Sequence, residues 1–595
     1  MGRRHLFTQT IALLTVLAGT LAVPTITVLA KDVTLKQTHV NHKKELKGGT
    51  LKVGYPSNTN FKGIFIQELG TDSETNRLAE LGQSGLFRKD KNGKYVKGGL
   101  ADVSFDRGSK TALITIGPKT RWSDGKPVTA RDMAFVYEII ANKDSTSEYY
   151  SDALETIMGM KEYHEGKADK ISGLQIKDSK HLLIHYKKMT PAMEYVDSGY
   201  LYNDAQPYHY LKDVPMSKMA QSDKVRKHPL FFGPYTIKKV VQGEAIEWVP
   251  NKYYGGKKPK LDKVVEEVVP VAQIAEAMRS HKNDVILHES RATYAKTSKV
   301  DQYVTLGTMA YGLQYMGFRV GDKGANGTSV LDKKLVTNNR SLRLALAYAM
   351  NTQQIVKEYG AGLQKWANSM VSPAYGAYHD NKIKPYYQNL KKADQLLDRA
   401  GFKRGKDGYR TQPNGKELTL HLLDQASGRG NDEIRANYMQ LWKKIGVRVE
   451  LVNDRPLEFN TYEDLLHSNS HKFDIWFGNW SLGQEPSTAA TAAYSPKSSF
   501  NHGHFVTKEN TKLLKSLNSE KAFNPKYRIE QMHKWQEYMR KEAYVVPLSY
   551  SYDLTAVGKN VKGMTVDDST QLTVWDNVCL RQIARNNLNE FSDAD

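Results

Sequence analysis

The sequence predicts an α/β protein, and three observations carry that expectation. First, the C-terminal half alternates strand and helix. Leu418–Leu423 reads as a strand, Ile434–Lys444 as a helix and Val447–Val452 as a strand, the order that builds a helix-covered sheet. Second, strand-like segments lie on both sides of long insertions, with no short tandem repeat and no low-complexity linker, so the chain reads as interleaved lobes. Third, the chain has 595 residues, 40% of them hydrophobic and 10% aromatic. That suits three or four domains, or two large lobes with sizeable cores.

Residues 1–30 read as an export signal. Arg3 and Arg4 form a basic head, Ile11–Val23 is mostly apolar but too short to span a bilayer, and Val28-Leu29-Ala30 suits cleavage before Lys31. Residues 31–47, rich in lysine, are expected to form a flexible basic leader. Gly48-Gly49 then opens a strand at Thr50–Tyr55. A short helix is expected around Leu78–Phe87. Ala112–Ile116 reads as a strand, and Trp122-Ser-Asp-Gly-Lys-Pro127 as a turn. Thr129 with Asp132 has the spacing of a capping box that starts a helix through Ala141. Tyr235–Val241 and Ala245–Val249 read as a hairpin around Gln242-Gly243, and Val264–Pro270 as a β-branched strand. Leu342, Ala345, Leu346 and Ala349 follow helical spacing, Asn351 is placed to cap a second helix, and Gly401 ends a helix over Ala393–Ala400.

The 85 Lys and Arg exceed the 64 Asp and Glu by 21, and removal of Arg3 and Arg4 with the signal leaves +19. This favours solubility and attraction to polyanions. The basic residues are dispersed, without a basic helix or an aromatic stripe between them, so no nucleic-acid partner is expected. Cys579 is the single cysteine, which excludes an intramolecular disulfide framework and a Cys-rich metal site. The pairs His39/His42, His467/His471 and His502/His504 lack neighbouring carboxylates and read as incidental; no metal or other cofactor is expected. The chain has no nucleophile elbow, P-loop or dinucleotide fingerprint. One aromatic stretch stands out. Phe473–Trp480 reads as a strand that ends before Gly483-Gln-Glu-Pro486. It is either a wall for an amphipathic ligand, with Glu485 meeting an ammonium, or ordinary core with a solvated acid.

Trp122-Ser-Asp-Gly-Lys-Pro-Val-Thr-Ala-Arg-Asp132 closely resembles a motif of the extracellular solute-binding proteins of the peptide/nickel class, which serve ABC importers. Gly233-Pro-Tyr235, Asn251-Lys-Tyr-Tyr254, Lys258-Pro-Lys-Leu-Asp262, Asn339–Leu346 and Ala393–Phe402 extend the resemblance over nearly the whole mature chain. It implies a two-lobed, periplasmic-binding-protein-like α/β fold with a third domain inserted near the N-terminus. Lobe I would combine 48–72, 185–300 and 545–595. The insert would be 73–184, and lobe II 301–544.

The resemblance also implies a binding protein rather than an enzyme. An oligopeptide would lie extended between the lobes, paired through its backbone, and the closed monomer would dock on a membrane permease. Trp480 would wall the cleft, with Trp476, Asn479 and Ser481 beside it and Glu485 pairing with the peptide amino terminus. Tyr315 and Phe318 would meet the cleft from lobe II, and Asn58, Asn60 and Phe65 from lobe I. Other ligands (a signalling peptide, haem, a nickel chelate) and a cationic adhesin that keeps the fold are the alternatives. The cysteine that carries a lipid anchor in Gram-positive members is missing. The protein is therefore expected to be exported and held at the cell surface by anionic wall polymers, or periplasmic where there is an outer membrane.

Overall fold

The computed structural model describes residues 35–581 apart from 71, 72, 84, 326, 427, 428, 568, 570 and 571. The expected signal, 1–30, lies outside the described residues. Strand β1 (Thr50–Pro56) buries Leu51, Val53 and Tyr55. The main elements of the insert are β2 (Ala101–Asp106) and β3 (Thr111–Ile116), helix α1 (Ala130–Ala141), β4 (Leu174–Ile176) and β5 (His181–His185). These strands form a separate antiparallel sheet in the order β2-β3-β5-β4, with α1 packed against it.

The turn before α1 follows the expected chemistry. Thr129 and Asp132 make both bonds of a capping box. The buried Asp132 also accepts from Trp122 Nε1 at 3.2 Å and from the Tyr208 amide at 2.8 Å. Its carboxylate therefore ties the turn, the helix and the returning chain together. The core around this sheet takes in Tyr186, Met193, Leu201 and Phe232, so the packed unit runs past the expected boundary at 184. The helix expected at 78–87 lies earlier, over Ser73–Leu78; Leu81 and Leu86 are buried in the turn that follows.

Lobe I resumes with the hairpin β6 (Tyr235–Val241) and β7 (Ala245–Pro250), then β8 (Lys263–Val269) and β9 (Val285–Glu289). Gly243 takes the positive φ, 77°, that the turn needs. β1 lies parallel to both β8 and β9. The leader expected to be flexible is instead tied to this lobe from Leu35 onward. Gly307 donates to Lys36 O at 3.0 Å, His39 N to Met564 O at 3.0 Å and Leu46 N to Leu580 O at 2.8 Å. Its extended backbone finds partners along strand edges, which its polar composition does not reveal.

β10 (Tyr303–Met309) and β11 (Leu313–Phe318) carry the chain into lobe II. There α2 (Arg340–Ala349), β12 (Gln364–Trp366), α3 (Leu390–Arg399), β13 (Thr419–Leu423), α4 (Arg429–Lys444), β14 (Arg448–Leu451), α5 (Phe459–His467), β15 (Ile475–Trp480), α6 (Lys508–Leu517) and α7 (Pro525–Glu542) follow. Asn339 caps α2 by accepting from the amides of Ser341 and Leu342. Asn351 stands at a helix start as expected, but its side chain turns to Asn437 and Gln354 instead of capping.

The chain returns through β16 (Val545–Gly558), a 14-residue strand. Its first half pairs β11 and β12; its second half pairs β10 and β9. The expected boundary at 545 therefore falls short of the crossover, which lies near Ser551. Among the described residues the strands join in the order β14-β13-β15-β11-β16-β9-β1-β8-β7-β6, with β10 and β12 on β16.

Asp132→Ala leaves buried donors without an acceptor. It is expected to lower stability by about 3 kcal/mol in denaturant unfolding, and Thr129→Ala by about 1 kcal/mol. Equal small losses would contradict the central role of the carboxylate.

Candidate functional site

β11 and β15 pair antiparallel, with Tyr315 opposite Gly478 and Gly317 opposite Trp476. Each aromatic ring thus lies over a glycine on the facing strand. A Cβ on Gly478 would come within 2.8 Å of the Tyr315 ring, so the glycine makes room for that ring to lie flat. Tyr315 stacks on Trp480 with centroids 5.7 Å apart and planes at 11°. The next layer is His502, stacked on Trp480 at 5.8 Å and 11°. Trp476 Nε1 donates to Tyr315 Oη at 3.3 Å and fixes the first ring from behind. Asn501 pins His502 by closing the turn around it. It accepts from Phe505 N at 3.0 Å and donates to Phe505 O at 2.8 Å.

Beside this Tyr-Trp-His layer lies a cavity of about 330 Å³, within the range of small-ligand sites. Ile355, Ile434, Tyr438, Phe459, Tyr462 and Leu466 supply apolar walls. Polar groups are already engaged. Arg435 Nη1 donates to Asp424 at 2.8 Å, and Gln364 Nε2 and Ser549 Oγ donate to Gln314 Oε1 at 3.0 and 2.9 Å. Burial raises the Asp424 carboxyl above its ordinary value against the pull of Arg435. Burial, with help from His467 and His504, pushes the His502 imidazole down to about 3, so this ring is neutral. The cavity is therefore amphipathic, with the Asp424–Arg435 pair and a second carboxylate, Glu463, which lies 3.2 Å from His467.

Trp480, Asn479 and Tyr315 line this cavity, whose walls run from Gln314 to Ser549 and, among the described residues, include none of 48–300. Trp476 is buried behind Tyr315. Ser481 is exposed, one residue past the strand. Phe318 is packed in the lobe II core at the other end of β11. Glu485 is buried and faces away from the cavity into an ion pair with Arg528; Ser487 and Thr488 hydroxyls also donate to it, at 2.7 and 3.2 Å. A carboxylate so committed has little capacity left for a peptide ammonium. On lobe I, Asn58 accepts from Val271 N at 3.1 Å, Asn60 sits against the Gly243 turn, and Phe65 is core. His502, Phe500 and His467 were not anticipated at the site. His467 closes α5 and meets His502 ring to ring at 4.7 Å.

The profile of the bacterial extracellular solute-binding proteins, family 5 (middle region), matches residues 96–501. The chain belongs to this family. This family 5 chain is 38% identical over 557 residues to the oligopeptide-binding protein OppA of Lactococcus lactis subsp. cremoris strain SK11, covering 89% of the chain and 92% of that protein. It is 37% identical, with the same coverage, to OppA of Lactococcus lactis subsp. lactis. Its fold is similar to that of lactococcal OppA complexed with an endogenous peptide in the closed conformation, with a TM-score of 0.85 and 38% identity over 90% of this chain and all of that one. AppA from Bacillus subtilis, in complex with a nonapeptide, shares the fold at a TM-score of 0.73 and 21% identity, with 91% of this chain and all of that one covered. The two-lobed, periplasmic-binding-protein-like α/β architecture expected from the motifs is thus the fold of this family 5 protein.

The neutral His502 has a consequence for acid stability. Between about 6.5 and about 3 the unfolded chain takes up a proton that the folded chain refuses, so stability is lost as pH falls through that window. At about 1.4 kcal/mol per pH unit, the stability advantage of wild type over His502→Gln is expected to shrink by about 2 kcal/mol from pH 7 to pH 5. An advantage that does not change would show that His502 titrates normally.

Proposed function

We propose that this protein is a receptor that captures oligopeptides between its lobes and delivers them to an ABC importer. The observation that carries the reading is the Tyr315–Trp480–His502 layer beside an amphipathic cavity at the end of β15. Such a wall buries a side chain of varied shape without requiring a particular charge, while the extended ligand backbone meets protein backbone and the Asn479 amide. The relatives at 37–38% identity are oligopeptide-binding proteins, which supports the same ligand class. The reading is of binding without chemistry: Asp424 is held by Arg435, and His502 is kept uncharged in the stack.

Peptides are expected to co-purify and to appear in native mass spectra as a ladder of masses. A single defined mass would instead favour a dedicated ligand such as a signalling peptide or a chelate. Trp480→Ala is expected to weaken binding of a nonapeptide by tenfold or more, on the order of 2 kcal/mol, in calorimetry.

The same proposal includes where the protein works. Outside the cell, an excess of 19 positive charges would hold it on anionic wall polymers near its transporter. Washing intact cells in about 1 M salt, where screening reaches about 3 Å, is expected to release it. Retention through that wash would rule out charge as the tether.

A further inference from the structure

We infer that the inserted domain is a closure latch: Tyr195 of the insert and the 483–485 turn of lobe II form a contact that exists only when the lobes are together and that slows release of the bound ligand. This rests on the proposed peptide-receptor reading for its ligand, but the contact itself is separate from the cavity.

The turn that follows Trp480 leads directly from the cavity to the insert. Glu485 and Arg528 are both buried, and their ion pair sits at the boundary with the insert. Arg528 is further held by Leu517 O at 3.0 Å and Ser487 Oγ at 3.1 Å. Its guanidinium lies 5.7 Å from the Tyr195 ring of the insert and 5.9 Å from the Tyr378 ring of lobe II. Burial, with the neighbouring Tyr378 hydroxyl, pushes the Tyr195 phenol well up, in keeping with a tightly covered contact.

Two glycines mark how closely the surfaces meet. A Cβ on Gly483 would come within 2.6 Å of Asp197 Cβ, and one on Gly93 within 2.5 Å of Gln484 Cβ. One glycine is on lobe II and the other on the insert, so the backbones approach from both sides. Around this centre Lys497 pairs with Asp152 at 3.6 Å, and Arg107 lies 4.5 Å over Phe523, again one partner from each unit.

The insert would move with lobe I. Asp132 holds the Tyr208 amide on the segment returning to lobe I, and Phe135 and Ile139 of α1 share a core with Ile64, Ile66 and Leu69 of lobe I. Lobe I and lobe II are joined through the β10–β11 turn and the middle of β16, so rotation about those strands separates Tyr195 from Arg528. Opening then takes the Tyr195 ring off the Arg528 guanidinium and unpacks the close contacts at Gly483 and Gly93, and the loss of those contacts opposes opening. Tyr195 is thus a positioning residue that acts on the lifetime of the closed form.

Four variants test this: Tyr195→Ala, Tyr195→Phe, which keeps the ring over Arg528, the exposed charge reversal Lys497→Glu, and the double swap of Lys497→Glu with Asp152→Lys. Release of a fluorescently labelled nonapeptide is followed by stopped flow, and the radius of gyration by solution scattering. Tyr195→Ala is expected to speed release about tenfold with little change in association rate. Tyr195→Phe should stay near wild type. Lys497→Glu should speed release about threefold, and the double swap should restore it. Both faster-releasing variants should show a larger radius of gyration. If Tyr195→Ala misfolds, the charge reversal and its swap decide the question, because both residues are exposed. Unchanged release and unchanged radius in Tyr195→Ala and Lys497→Glu would overturn the latch. If wild type takes up no peptide, the receptor reading fails, while the radius of gyration still decides the latch.

Discussion

Strand β16 is the constraint on which the rest of the molecule depends. Fourteen consecutive residues pair first with lobe II strands and then with lobe I strands. A strand shared in this way joins the lobes without a loop. Its backbone hydrogen bonds stay satisfied on both sides of the crossover, so the lobes can change angle only by twisting a continuous ladder. The β10–β11 connection runs beside it. Together they set the axis around which any cleft must open, and they place β15, one strand away from β16 through β11, at the lobe II edge of that cleft.

The site follows from that placement. The two glycine–aromatic pairs across β11 and β15 remove Cβ atoms where rings must lie flat, and Trp480 projects at the end where the ladder stops. The stack then extends beyond the sheet through His502, which arrives from a turn rather than a strand. Desolvation keeps that histidine neutral. A charged imidazole there would need a counter-ion; a neutral one adds a flat, weakly polar surface. The wall is thus continuous from sheet to turn without introducing a net charge.

Much of the scaffold was legible because its rules are local. The capping box at Thr129–Asp132, the Gln242-Gly243 hairpin and the helix stopped at Gly401, whose φ is 84°, each need only a few adjacent residues. Trp480 and Asn479 were legible for a related reason: a strand that ends in aromatics before a polar turn presents them at an edge. Glu485 shows where local reasoning stops. Its partner Arg528 lies 43 residues away, and only the tertiary fold brings them together. The spacing of His502 and His504 speaks only to metal ligation, whereas the part of His502 here is a stacking surface on Trp480. The lysine-rich composition of the leader suggests flexibility, yet its backbone is tied along lobe I. In each case the deciding interaction is long-range or made by backbone, and neither leaves a mark in the spacing of side chains.

The charge of the chain and the character of the site have separate origins. The excess of 21 positive charges is spread over the sequence, whereas the cavity pairs Asp424 with Arg435 and leaves His502 uncharged. At physiological ionic strength screening limits surface fields to about 8 Å, so dispersed lysines act on what approaches the outside of the protein more than on what settles against Trp480. In the proposed reading the aromatic stack and the amide groups select by shape and hydrogen bonding, which vary little with salt. A receptor built this way can carry a strongly cationic exterior without imposing a preference for acidic ligands, because the two sets of groups do not share a local environment.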